Sequence, residues 1–88
     1  MNNTLENTEK TTMYDSEEIE GELVSSTLKD VCASLKEKGY NEINQLVGYI
    51  MSVDPGYISS HNVARNKITS IERSTIIEVL VRNYVSKL

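Results

Sequence analysis

The chain has 88 residues with 13 acids against nine Lys and Arg, a net charge of −4, one cysteine and one histidine. One small domain fits that length, a lone Cys32 excludes an internal disulfide, and a lone His61 excludes a His/Cys zinc set from a single copy. An acidic balance argues against general affinity for nucleic-acid phosphate or anionic lipid, and no apolar run approaches the ~20 residues of a membrane helix.

Charge divides the chain in two. In residues 1–22, seven acids (Glu6, Glu9, Asp15, Glu17, Glu18, Glu20, Glu22) stand against Lys10, for −6; residues 23–88 carry +2. Only Leu5, Met13 and Tyr14 are sizeable apolar residues before Asp15, too few to offset an ordering cost of ~1–2 kcal/mol per residue. Asp15 and Glu18 have capping-box spacing, but Gly21 soon interrupts any helix they start. Residues 1–22 are therefore expected to form a disordered acidic arm, with at most one frayed turn, and residues 23–88 a helical, dimerising domain.

From Leu23, Val24, Leu28, Val31 and Leu35 recur at helical spacing. Gly39 supplies a left-handed stop, placing Leu35 and Tyr40 where a Schellman motif brings side chains together, and Lys36 and Lys38 face the negative helix end. Asn41 caps a second helix with an Ile43, Leu46, Val47, Ile50 stripe, in which Gly48 signals close approach of another backbone. Asp54-Pro55-Gly56 ends it near Val53, with Tyr57 packing the loop onto the body.

Ser59 or Ser60 can cap a third helix bearing Val63, Ala64, Ile68 and Ile71; Ser74 can cap a fourth. Eight of the 13 residues from Ile76 to Leu88 are apolar, more than a one-sided helix needs, so two sides of it want covering. A strand is rejected there because 13 residues without a breaker is long for one and no pairing partner is evident. The fold class is all-α: a compact bundle of four or five helices, dimerising through the last helix and the Gly48 helix, with Gly48, Ile77, Leu80, Val81 and Tyr84 as dimer or core residues. With no disulfide or metal staple, self-association is the economical way for so small a domain to extend its core.

Four threonines, Thr4, Thr8, Thr11 and Thr12, lie in the acidic arm. Threonine is common in solvated arms; the functional alternative is phosphorylation, two events of which would take the arm from −6 to about −9 or −10. Arg65, Lys67 and Arg73, with His61 one turn before Arg65, are ordinary surface cations or a patch on which a phosphorylated arm docks. Cys32 lies beside the apolar face of the first helix and reads as a small hydrophobe. No catalytic set, metal site, glycine-rich phosphate loop or cofactor requirement is legible.

Glu37-Lys38-Gly39-Tyr40-Asn41, Ile43-Asn44-Gln45, Val47-Gly48-Tyr49, Asp54-Pro55 with Tyr57-Ile58, Ala64-Arg65-Asn66, Glu72-Arg73, Leu80-Val81-Arg82 and Tyr84 occur in order over about Asp30 to Val85. In these motifs the chain resembles the IreB family of small proteins from Gram-positive bacteria. The resemblance implies a homodimeric helical body with a flexible arm. It also implies a cytoplasmic, non-enzymatic substrate of a transmembrane Ser/Thr kinase with PASTA domains and of a cognate phosphatase. As output it implies negative regulation of cell-wall stress responses and of cephalosporin-type antibiotic tolerance, through an unknown downstream protein. Two phosphoacceptor threonines three apart are carried over to Thr8 and Thr11, ahead of Thr12 and Thr4. Four residues precede the matching arm, Thr12 adds a neighbouring acceptor, and Glu42 stands where the family often has proline. The competing readings are a small helical nucleic-acid-binding module and a structural subunit of a larger assembly.

Overall fold

The computed structural model describes the backbone of residues 2–52 and 54–88 and the side chains of residues 16–52 and 54–88. Among them are four α-helices and no strand: α1 (Asn2–Glu37), α2 (Glu42–Ser52), α3 (Ala64–Thr69) and α4 (Arg73–Val85), with 3-10 turns at Pro55–Tyr57 and His61–Val63. The all-helical class is as expected, and the Ile76–Leu88 segment is helical through Val85.

The inward edge of α1 is the predicted one. Val24, Val31 and Leu35 are buried, Leu28 is packed against them, and the stripe lies on Ile68 and Ala64 of α3, Ile76 and Val79 of α4, and Ile58 of the loop. Its stop is the predicted Schellman motif: Tyr40 N–H donates to the Leu35 carbonyl and Gly39 N–H to that of Lys36, both at 2.9 Å, with Gly39 at φ +79°. Asn41 then caps α2, its Oδ1 accepting from Asn44 N–H at 2.9 Å.

The start of α1 differs from the sequence reading. Residues 16–22, expected in the disordered arm, are helical, and the boundary drawn between residues 22 and 23 falls inside α1. Glu17, Glu18 and Gly21 line a cleft with Val79, Arg82 and Asn83 of α4, and the helix continues through Gly21 in spite of the ~1 kcal/mol that one glycine costs. The rest of the expected arm, residues 1–15, lies outside the residues described in full.

Three apolar assignments also change. On α2, Ile43 and Val47 face outward at 68% and 52% exposure, while Tyr49 is buried and Leu46 packs against the core. Leu46, Tyr49 and Ile50 make a second stripe three and four residues apart, and the bulkier Tyr49 takes the inward position. On α3, Val63 is exposed and precedes the helix; Ile71 is buried but follows it. Ser74 does not cap α4, whose N-cap is Glu72.

Val63 also has unusual backbone. Asn62 and Val63 sit at φ 52° and 55°, a conformation disfavoured for a β-branched residue. Its surroundings impose it: Glu37 takes His61 Nε2 at 3.0 Å and Asn62 Nδ2 at 3.4 Å, while Ile58 and Ala64 on either side are fully buried. Asn tolerates this region, and Val63 is half exposed. Val63→Asn should therefore raise stability by about 1 kcal/mol, seen as a rise in Tm of about 4–8 °C for a chain of this size; an unchanged or lower Tm would show the segment to be unstrained.

Candidate functional site

Thr4, Thr8, Thr11 and Thr12 lie on α1 by backbone, and their side chains fall outside the described residues. Toward the body the helix carries exposed Glu17, Glu18, Glu20 and Glu22. Two of these acids, Glu17 and Glu18, flank the cleft that holds Arg82. The negative leader therefore runs into the body along one helix, and a charge change on it is made on the helix that also walls the core.

The cations named as a phosphate patch each hold a protein acceptor. Arg65 Nε donates to the Ile58 carbonyl at 2.9 Å, Arg73 Nη1 to the Ile50 carbonyl at 3.3 Å, and Lys67 Nζ lies 3.4 Å from Asp30 Oδ2. Two positions apart on a helix, Arg65 and Lys67 project ~200° from one another, one to the loop and the other to α1. Arg73 instead reaches α2. The fold thus distributes the three to separate contacts, each fastening a different neighbour. Arg65 also lines a small cavity of about 90 Å³ with Ser60, Val63 and Asn66.

Cys32 and His61, the only thiol and imidazole, have separate surroundings. Cys32 is half-buried in a groove of about 340 Å³ between α1 and α4, beside Val24, Leu28 and Leu80. Burial pushes its thiol above the ordinary range, the Glu42 charge adds to this and Lys36 opposes it, so at neutral pH it is a protonated, poorly nucleophilic thiol. The His61 ring is engaged by Glu37. Among the described residues no three His, Cys, Asp or Glu side chains are grouped to hold a metal, and no helix is long and apolar enough to cross a membrane.

Of the residues named for dimer or core, Ile77, Leu80, Val81 and Tyr84 are all exposed to some degree and none belongs to the core. Gly48 has an explanation within the chain: a Cβ there would overlap Tyr57 Cδ1 and lie 2.9 Å from Cε1, so the ring of Tyr57, not another backbone, makes the close approach. Ile58, fully buried, was not predicted as core from sequence; it sits in a connection with no periodicity, and only its place in the buried cluster reveals its role. Glu42 Oε2 is buried without a hydrogen bond and lies 3.8 Å from Lys36 Nζ, at the helix end whose dipole favours an acid.

The Gly48–Tyr57 contact has a signature. Gly48→Ala should lower stability by about 1 kcal/mol when Tyr57 is present, because the ring must leave, yet raise it by up to about 1 kcal/mol in a Tyr57→Ala background, where only helix propensity remains. Urea unfolding of the four chains measures both, and the same sign in the two backgrounds would contradict the contact.

A family described as IreB regulatory phosphoprotein matches residues 9–86, which includes Thr11 and Thr12, begins one residue after Thr8, and takes in all of α2, α3 and α4.

Proposed function

Because the chain belongs to the IreB regulatory phosphoprotein family, we propose that it is a non-catalytic cytoplasmic regulator that receives phosphate on Thr8 and Thr11 from a transmembrane PASTA-domain Ser/Thr kinase and loses it to a cognate phosphatase. In this reading it is a homodimer and a negative regulator of cell-wall stress responses and of cephalosporin-type antibiotic tolerance. The observation that carries it is the family match over residues 9–86, which takes in Thr11 and the helical body and begins one residue after Thr8.

The physical content of such a switch is electrostatic. Each phosphate adds roughly −1.5 to −2 charges to a leader that already carries −6. Because Arg65 and Arg73 already hold carbonyls at Ile58 and Ile50, a phosphate docking on them in the same chain must compete with those bonds. A change of affinity for a separate downstream protein meets no such competition, and differential affinity of the two forms is the only quantity that can shift an equilibrium. The same contacts leave the nucleic-acid reading with little support, since the cations it would use are engaged within the fold.

Incubation with a PASTA-domain kinase, ATP and Mg²⁺ followed by mass spectrometry tests the assignment. The unmodified sequence should gain up to two phosphates, and a Thr8→Ala, Thr11→Ala double variant should gain almost none while keeping its helical circular dichroism. Full incorporation into the double variant would remove Thr8 and Thr11 from the proposal.

A further inference from the structure

The inward face of α1 changes character where the helix meets the end of α4. Leu35, Val31, Leu28 and Val24 pack into the core along one seam, and the same steps of four and three carry that seam on to Gly21 and Glu17. Apolar contact along the seam therefore stops at Val24. Beyond it an open cleft of about 270 Å³ separates Glu17, Glu18 and Gly21 of α1 from Val79, Arg82 and Asn83 of α4. The two walls carry opposite charge.

Each wall is built to move. Gly21 is a weak point in α1: a Cβ placed there would meet nothing within 4 Å, and glycine supports a helix less well than any residue but proline. The seam position one turn before it is a carboxylate, which has no apolar layer to enter. Across the cleft, Arg82 is held at 2.9 Å by Glu78 of its own helix, with 38% of its side chain exposed. An exposed i,i+4 pair is weak enough for other carboxylates to exchange with it. Arg65, Arg73 and Lys67, in contrast, each fasten a separate element. Arg82 also stands in the last turn of α4, where the helix dipole is negative, so without its charge Glu17 and Glu18 would approach a negative helix end.

We infer that the start of α1 is a strap hinged at Gly21, which closes the cleft by swinging Glu17 and Glu18 onto Arg82 in competition with Glu78. The structure shows the open form. Closure sets the direction in which the acidic leader leaves the body, and it needs no phosphate, so it stands apart from the phosphorylation proposed above.

Electron–electron distance measurements on spin labels at Ser16→Cys and Ser86→Cys test the strap in a full-length Cys32→Ser chain, diluted with excess unlabelled chain so that only distances within one copy are read. Both sites are exposed, and both substitutions leave the charge unchanged. Two distances are expected. The shorter should lose population as ionic strength rises from about 0.1 M to about 1 M and the Debye length falls from about 10 Å to about 3 Å. Arg82→Gln should reduce the shorter population about two- to fivefold, the range of an exposed ion pair, whereas Glu78→Gln, which frees Arg82, should enlarge it. Opposite signs from the two members of one ion pair separate this role from plain stabilisation of α4, which both substitutions would weaken alike. Gly21→Ala should narrow the distribution around the longer distance. One distance indifferent to salt and to Arg82→Gln, or a change of the same sign from both substitutions, would overturn the strap; two populations that persist in Gly21→Ala would overturn the hinge.

Discussion

The apolar edge of α1 is the surface on which the other elements rest. Val24, Val31 and Leu35 are its fully covered positions, and the residues that cover them come from α3, α4 and the loop between α2 and α3. A chain of this length has few apolar side chains to bury, so a single long helix used as a common wall brings separate short segments into one core without requiring each to pack against all the others. α3 has only six residues and could not persist alone; it exists because Ala64 and Ile68 lie against that wall.

Polar contacts complete what the apolar edge begins. Glu37, in the last turn of α1, takes His61 and Asn62; Asp30, two turns earlier, takes Lys67; Arg65 returns from α3 to hold the Ile58 carbonyl, and Arg73 fixes the last turn of α2. Exposed ion pairs are individually worth about 0–1 kcal/mol, so their role is one of register more than of stability. They decide where a loop with little periodicity crosses the helices. The strained backbone at Asn62 and Val63 lies at the point where this fastening is densest.

That architecture gives the proposed regulation a mechanical setting. The acidic leader is covalently continuous with the core-forming helix, and two of its acids, Glu17 and Glu18, line a cleft with Arg82 of α4. Added phosphate would therefore be felt by whatever approaches the α1–α4 side of the molecule. Screening limits such influence to about 8–10 Å in physiological salt, which favours effects on a partner bound near the leader over effects transmitted through the core.

Where a signal was local, the amino acids alone were enough. The α1 stripe, the Gly39 stop, the Asn41 cap and the Asp54-Pro55-Gly56 break each depend on side chains within five residues of one another, so spacing and backbone preference specify them without reference to the fold. The motif order from Glu37 to Tyr84 likewise announced the family before any geometry. Tertiary structure decided which of two available faces α2 turns inward, because Leu46, Tyr49 and Ile50 compete with Ile43 and Val47 only when a wall is present to choose between them. It decided that α1 continues through Gly21, where the helix lies across a cleft from α4, some 60 residues away in the chain. It also placed Ile58 in the core, gave Gly48 to Tyr57, and turned three apparent surface cations into fasteners, all consequences of neighbours that are remote in sequence and therefore invisible to spacing.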